Sequence, residues 1–201
     1  MHYGCAMTGT EETAERASPG RREQLLSAAR EVLAQKGYER TTVSSIAGRA
    51  QVAQGTFYLY FPSKEALPGA LAQQLSEALG ASTHEAIDGA TTLEDAVDAI
   101  VEATWRTAAD FEDVLVIANR GIELANTWDE FLELTAVWRG ALEDFLRRFQ
   151  ASGEVASSLD VMTTACVLRD ILDRSMKAKV LFGQAHYAAA TSVLVQRALS
   201  A

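Results

Sequence analysis

Two short amphipathic segments separated by a three-residue break constrain the fold of this chain more than any other feature. The first covers residues 43–50 and the second runs from 54 to about 60, each with apolar residues at helical spacing. Residues 51–53 form the break, and a longer helical pattern over residues 18–36 precedes both segments. Two short helices joined by a tight turn and braced by a longer one are typical of a helix-turn-helix head.

Residues with known helix-boundary preferences support these limits. Ser18 followed by Pro19 suits an N-cap and a first helical position, and Gly37 supplies the left-handed residue that ends the first helix. Thr41 and Thr42 are candidate N-caps for the second helix.

After the third helix, Pro62 is predicted to stop it, and Ser63 is predicted to cap a fourth helix that begins near Lys64.

Helical patterns also account for the rest of the chain. They cover residues 93–108, 131–149, about 157–181 and 186–199, and β-branched residues never form alternating runs. The third of these patterns carries apolar residues on more than one side, so it needs at least two partner helices. An all-α fold is predicted, with a helical bundle following the head.

Three regions are predicted. Residues 1–17 are small, polar and acidic and are expected to be a disordered tail, residues 18–66 to be the helix-turn-helix DNA-binding domain, and residues 67–201 to be a helical ligand-binding and dimerisation domain. The net charge of −9 is divided unevenly among them. Residues 18–66 carry seven basic and four acidic side chains, whereas residues 67–201 carry ten and twenty. The positive excess therefore lies in the segment expected to contact DNA phosphates.

Several classes of function find no support in the residues. Cys5 and Cys166 match no metal spacing, and His84 and His186 lie far apart, so neither a metal nor another cofactor is expected. No Ser/His/Asp, Cys/His or paired-carboxylate constellation is recognisable, so the chain is not expected to be an enzyme. No leader and no apolar run of membrane-spanning length is evident, which favours a cytoplasmic protein without membrane partners.

From Gly37 to Leu67 the chain reads GYERTTVSSIAGRAQVAQGTFYLYFPSKEAL, and this stretch closely resembles the head of the TetR family of bacterial transcriptional regulators. The GY, TTV, IA, GTFY, YF and SKEAL pieces occur in the family's order and spacing, over about a quarter of the chain. The resemblance implies a fold of nine or so helices, a homodimer built from the last two helices and a small-molecule pocket in the body. Binding of a small molecule in this pocket would change the spacing of the two heads and release the repressor from its operator.

The head residues that match the family's DNA-contacting positions also suit that role chemically. Amide, hydroxyl, phenol and ammonium groups bond to base edges or phosphates, and glycine permits close backbone approach. The predicted DNA-binding residues are Thr42, Gln54, Gly55, Thr56, Tyr58, Leu59, Tyr60 and Lys64. Phe57 and Phe61 supply the inward spacing, which leaves both tyrosines outward, although a core position for the tyrosines, a capping role alone for Thr42 and a solvated Lys64 stay open. Arg49 is expected to be a surface charge.

Two head positions depart from the family pattern. Gln51 stands where the family often has glycine, so a left-handed conformation there would cost on the order of 1 kcal/mol. Leu59 replaces a polar or larger residue and is expected to make apolar contact.

The body offers candidates that the resemblance implies but that ordinary core packing explains equally well. The ligand-pocket candidates are Trp105, Phe111, Asn119, Glu123, Trp128, Phe131, Trp138 and Arg169. The dimer-interface candidates are Met162, Cys166, Ile171, Ser192, Val195 and Leu199. Arg169 could instead form an i,i+4 ion pair with Asp173, and Cys166 is expected to be a buried small hydrophobe. The expected partners are operator DNA, a second copy of the chain and a largely apolar effector, with a ligand-independent DNA-binding protein or a helical adaptor as the alternatives.

Overall fold

The structure, a computed structural model, describes residues 19–118 and 128–200 of the 201-residue chain. These residues form α-helices with no β-strand among them, as the sequence predicts. The chain divides between Ala70 and Leu71 into two compact units. None of the described helices is both long and apolar enough to cross a membrane.

The first unit contains three helices, a turn of 3₁₀-helix over Lys64–Ala66 and the first residues of a fourth helix. The helices are α1 (Pro19–Lys36), α2 (Val43–Arg49), α3 (Gln54–Tyr58) and α4 (Leu67–Asp88). Their apolar faces enclose a core of completely buried side chains: Leu25, Leu26, Ile46, Phe57 and Leu67. The Gln24 side-chain amide of α1 donates to the Ala50 carbonyl at 2.8 Å, which ties α1 to the end of α2.

The predicted boundaries of α1 and α2 agree with the structure from Pro19 onwards, whereas the predicted cap Ser18 and the predicted tail over residues 1–17 lie outside the described residues. Gly37 ends α1 with a φ of 74°, in the left-handed region. The Thr42 hydroxyl accepts from the Ser45 amide at 3.1 Å, and the Ser45 hydroxyl lies 3.2 Å from the Thr42 amide, so the two residues form a capping box. Thr41 is not the cap, because its buried hydroxyl donates back to the Gly37 carbonyl.

The next two predicted boundaries differ from the structure in part. Helix α3 ends at Tyr58 rather than near Tyr60, since the Leu59 amide bonds to the carbonyl of Thr56, three residues back, and tightens the last turn. A helical turn begins at Lys64 as predicted, with Ser63 at its N-cap position, but the turn is 3₁₀ and the Ser63 side chain makes no capping bond. Its hydroxyl instead bonds to the carboxylate of Glu65, and this bond is the main cause that holds the pKa of Glu65 below its usual range.

The second unit contains the rest of α4 and six further helices. They are α5 (Leu93–Asp110), α6 (Glu112–Ala118), α7 (Trp128–Leu134), α8 (Ala136–Ala151), α9 (Val161–Phe182) and α10 (Tyr187–Leu199). Helix α9 packs against α5, α6, α8 and α10, which satisfies the apolar residues on its several sides. Asp160 caps α9 by accepting from the Thr163 amide at 2.8 Å, and Gly183, with a φ of 67°, ends it.

The pattern over residues 131–149 does not form one helix. The chain interrupts it at Thr135, whose ψ of 5° lies outside the helical range, and α8 starts at the next residue. The α8 side chains Trp138, Leu142, Phe145 and Phe149 are nevertheless buried on a single face. The apolar spacing therefore predicts the buried face correctly but not the break.

Two side chains from distant parts of the sequence bond to the backbone between the end of α4 and the start of α5. The Arg148 guanidinium donates to the carbonyls of Ile87 and Ala90, at 2.5 and 2.8 Å, where the chain leaves α4. The Glu154 carboxylate accepts from the Leu93 amide at 2.8 Å, at the first residue of α5. Both contacts satisfy backbone groups that a helix end leaves unpaired.

Helices α4 and α8 approach closely at Gly80. A Cβ atom added there would lie 2.8 Å from Val137 Cγ1 and 3.1 Å from the Val137 carbonyl oxygen. We predict that Gly80→Val lowers the free energy of unfolding by about 1–3 kcal/mol, because the extra atoms overpack this contact. Gly140→Val in α8 is the matched control, since a Cβ there meets nothing within 4 Å, and it should change stability by less than about 0.5 kcal/mol. Equal effects of the two changes in thermal or urea unfolding would contradict the prediction.

Candidate DNA-binding face and effector cavity

At the end of α3 and in the residues that follow it, core side chains and surface side chains lie within a few positions of each other. Phe57 is 0% exposed and Phe61 is buried beside it, with ring centroids 5.3 Å apart. Tyr58 is 52% exposed and Leu59 58% exposed, while Tyr60 is half-buried. Since burial of Phe57 fixes the rotation of this short helix, the next two side chains must project from the surface. The predicted inward positions of Phe57 and Phe61 and the outward position of Tyr58 are confirmed, whereas Tyr60 is only partly outward.

The other predicted DNA-binding residues lie in the first turn of α3, before it in the sequence and after it. Gln54 and Gly55 are exposed in the first turn and Thr56 is half-buried. Thr42 is exposed, and its capping bond to the Ser45 amide uses one acceptor position of a hydroxyl that has two, so its hydrogen-bonding capacity is not exhausted.

Lys64 is held by a residue that sequence reasoning missed. Its Nζ lies 3.3 Å from the carbonyl oxygen of Tyr38 and 4.5 Å from the centroid of the Tyr38 ring. Burial, with smaller contributions from Glu65 and Glu39, raises the pKa of Tyr38 above its usual range. The two residues are separated by 26 positions, so no local spacing pairs them. Arg49 is exposed and bridged to Glu31.

The turn between α2 and α3 contains the one non-glycine residue with positive φ among those the structure describes. Gln51 has a φ of 55°, in the left-handed region. An L side chain in this region costs about 1–2 kcal/mol. The turn therefore carries local backbone strain at Gln51.

A mainly apolar cavity of about 160 Å³ lies within the second unit. Its walls come from α4, α6, α9 and the chain around Thr135. The lining residues are Ala72, Leu75, Ser76, Leu79, Val114, Leu115, Leu134, Thr135, Trp138, Arg169, Asp170, Asp173, Met176 and Lys177. Of the predicted pocket residues, Trp138 and Arg169 line this cavity.

The remaining pocket candidates lie elsewhere or outside the description. Trp105 is buried away from this cavity, where its Nε1 donates to Ser175 Oγ at 3.2 Å, and the half-buried Phe111 does not line the cavity. Asn119 and Glu123 lie outside the described residues. Trp128 and Phe131 belong to α7, but their side chains also lie outside the description.

Charged side chains at the cavity are paired, and the predicted pairing is wrong. Arg169 bonds to its neighbour Asp170, not to Asp173. Asp173 instead accepts from Lys177, one helical turn further on, at 2.7 Å. An acidic residue with basic residues four positions away on both sides has two possible partners, so the spacing alone does not select one.

The predicted dimer-interface residues divide between the surface and the core of the second unit. Met162 is exposed, Cys166, Ile171 and Ser192 are half-buried, and Val195 and Leu199 are buried within the unit. Cys166 is thus less buried than its sequence context predicts. Four exposed apolar residues on the same two helices were missed: Val167, Phe182, Val193 and Leu194.

No group of three or more His, Cys, Asp or Glu side chains that could hold a metal ion occurs among the described residues.

Comparisons with known proteins agree with the head and with the whole fold. The family described as "Bacterial regulatory proteins, tetR family" matches residues 25–71. The transcriptional repressor KstR2 of Rhodococcus jostii is 30% identical over 161 residues, which are 75% of this chain and 76% of that protein. The crystal structure of the regulator FadR from Bacillus subtilis, in complex with stearoyl-CoA, has a TM-score of 0.69 and 25% identity, covering 89% of this chain and 97% of that one. FadR from Bacillus halodurans, at 24% identity, shares the fold with a TM-score of 0.68 over 87% of this chain and 95% of that one.

The strain at Gln51 generates a stability prediction. Gln51→Gly should raise the free energy of unfolding by about 1 kcal/mol, because glycine adopts positive φ without a Cβ clash. Gln51→Ala keeps the Cβ atom and should leave stability nearly unchanged, so it separates the backbone effect from loss of the side chain. An equal gain for alanine in thermal unfolding would show that the side chain, not the φ angle, is responsible.

The exposed face of the head generates a prediction about DNA. The double change Tyr58→Phe and Lys64→Ala should weaken binding to a duplex selected from a random-sequence library without unfolding the protein. Loss of one lysine contact to phosphate should also reduce the slope of log affinity against log salt by about 0.9. Arg49→Ala is the control, since it removes the same charge from a side chain paired with Glu31. Unchanged affinity of the double variant in mobility-shift titrations would overturn this assignment.

Proposed function

The chain belongs to the tetR family of bacterial regulatory proteins, and we propose that it acts as a homodimeric repressor that leaves its operator when a small molecule enters its second unit. It is a DNA-binding transcriptional regulator with a helix-turn-helix head. The observation that carries the ligand-responsive part is the mainly apolar cavity of the second unit, which residues of α4, α6, α8 and α9 line.

The chemistry of the exposed head residues supports a division between base reading and phosphate binding. The Gln54 amide suits the paired donor and acceptor of adenine, while the Thr56 methyl and the apolar Leu59 suit thymine methyl groups. The phenol of Tyr58 and the ammonium of Lys64 suit phosphate oxygens, which position the head without reading sequence.

Helices α9 and α10 supply the surface that we assign to the dimer. Val167, Val193 and Leu194 are each about half exposed, and Met162 joins them near the start of α9. An exposed apolar surface on neighbouring helices favours burial against a second copy, and a two-fold axis lets the same patch serve both protomers. Such a dimer would present its two heads to half-sites about 34 Å apart.

In this proposal the dimer has two forms that differ in the spacing of the heads, and the effector binds one form more tightly than the other. It lowers operator affinity only by its differential affinity for the two states. The cavity and the proposed dimer surface share α9, since Arg169 and Lys177 line the cavity and Val167 is exposed on the same helix. Helix α4 also lines the cavity, and its first four residues belong to the first unit.

Dimerisation is tested by charging the proposed interface. Leu194→Asp should convert the dimer to a monomer in analytical ultracentrifugation and lower affinity for a two-half-site operator by about 10²–10⁴-fold, because the second head no longer binds as part of the same molecule. The control Ala109→Asp introduces the same charge at an exposed apolar residue of α5, outside α9 and α10, and should leave both properties unchanged. A Leu194→Asp protein that stays dimeric would contradict the assigned surface, and full operator affinity from a monomer would contradict the dimeric mechanism.

A further inference from the structure

We propose that Arg22, near the start of α1, binds a DNA phosphate beside the end of the DNA-binding face, and that the ring of Phe61 holds its guanidinium in place for this contact. The inference rests on the proposed function, because it takes the exposed residues of α3 as the face that meets the operator. The contact comes from α1, which contains none of the predicted DNA-binding residues.

Tertiary packing brings Arg22 next to the chain that follows α3. Its guanidinium carbon lies 5.6 Å from the centroid of the Phe61 ring, within the range of a cation–π contact. Phe61 is 3% exposed and packs against Phe57 in the core of the head, so the position of the ring is fixed. Tyr60 directly precedes the ring in the sequence, and Lys64 follows three residues later. Arg22 therefore lies beside a stretch of chain that carries two predicted DNA contacts.

The guanidinium of Arg22 keeps its hydrogen-bonding capacity. Among the residues that the structure describes, the Phe61 ring is the one hydrogen-bonding, ionic or ring partner of this half-buried side chain. The ring attracts the positive charge but offers no oxygen or nitrogen acceptor, so the five N–H donors of the guanidinium stay available. Two phosphate oxygens match this planar set of donors, because they can accept two parallel hydrogen bonds.

The preceding residue, Arg21, provides an internal comparison. Its Nη1 donates to the Gln24 side-chain oxygen at 2.9 Å, and the Gln24 amide in turn donates to the Ala50 carbonyl. Arg21 thus takes part in the bonds that join α1 to the end of α2. Two adjacent arginines therefore differ in their surroundings, since the fold supplies an acceptor for the first and only a ring for the second. This contrast identifies Arg22 as the arginine available to an anion.

The charge of Arg22 predicts what kind of contact it makes. A cation that no carboxylate neutralises adds to the positive field of the head, and this field attracts the phosphates of any sequence. Phosphate contacts position a protein on the duplex without reading bases. Arg22 should therefore strengthen binding to operator DNA and to random DNA by the same factor, which a contact to a base edge would not do.

Salt-dependent titrations of the full-length protein test the contact. Arg22→Gln should weaken binding to an operator duplex selected from a random-sequence library by about tenfold for each bound head, the value of one charge-assisted hydrogen bond. The slope of log affinity against log salt should fall by about 0.9 for each head. Arg22→Lys keeps the charge without the planar fork, so it should keep the wild-type slope while binding more weakly than wild type.

A control variant and modified DNA assign the effect to one contact. Arg49→Gln removes the same charge from a side chain that is paired with Glu31, and it should leave the slope nearly unchanged. Replacing operator phosphates one at a time by neutral methylphosphonates should reveal a position in each half-site that weakens the wild-type protein and Arg49→Gln but not Arg22→Gln. Circular dichroism checks that each variant is folded, and the methylphosphonate scan of the wild-type protein needs no variant to locate its phosphate contacts.

A wild-type salt slope in Arg22→Gln, a loss of affinity for the operator but not for random DNA, or equal effects of Arg22→Gln and Arg49→Gln would each overturn the inference. Failure of the proposed function gives a different result, because the double variant Tyr58→Phe and Lys64→Ala tests the face itself in the same titrations. If this double variant alone is impaired, the face stands and the Arg22 contact is wrong. If both the double variant and Arg22→Gln bind like wild type, the assigned face is wrong as well.

Discussion

The packing of α9 against four other helices is the constraint on which the second unit depends. Because α9 contacts α5, α6, α8 and α10, the residues on its different sides have different surroundings. Leu172 and Met176 are buried in the core, Ser175 accepts the hydrogen bond of Trp105, and Arg169 and Lys177 line the cavity. Val167 is left at the surface, on the face that we assign to the dimer. A ligand that shifts α9 by a small distance therefore acts on the core and on this surface together, since close-packed interiors do not deform at one point alone.

The head could be predicted from sequence almost residue by residue, because its features depend on neighbours in the chain. Gly37 ends a helix wherever a left-handed residue is required, Thr42 caps the helix that follows it, and the alternation of Phe57 with Tyr58 sets which side of α3 is buried. The prediction failed at Ser63, because its hydroxyl had a second hydrogen-bond partner available within a few residues. Ser63 bonds to the Glu65 carboxylate instead of capping a helix, and the spacing of Ser63 and Glu65 is compatible with either arrangement.

The cavity could be predicted only in part. Apolar periodicity placed Trp138 on a buried face, but periodicity does not show which buried residues border empty space. That property depends on how α4, α6 and α9 meet, and these helices are separated by tens of residues. The ion pairs illustrate the same limit, since Asp173 has a basic residue four positions away on either side and the fold selects Lys177. Thr135 interrupts an otherwise continuous apolar pattern, and threonine also occurs inside helices, so its identity gave no warning of the break.

The contact between Lys64 and Tyr38 has a consequence for the conformational entropy of DNA binding. A free lysine loses about 2 kcal/mol of side-chain conformational entropy when it is immobilised. In this head the ammonium group already rests on the Tyr38 ring and its carbonyl oxygen before any DNA is present, so much of that entropy is lost during folding. In the phosphate contact that we propose for Lys64, binding would therefore exchange one ordered contact for another. The entropy of association would then carry a correspondingly smaller penalty for this side chain.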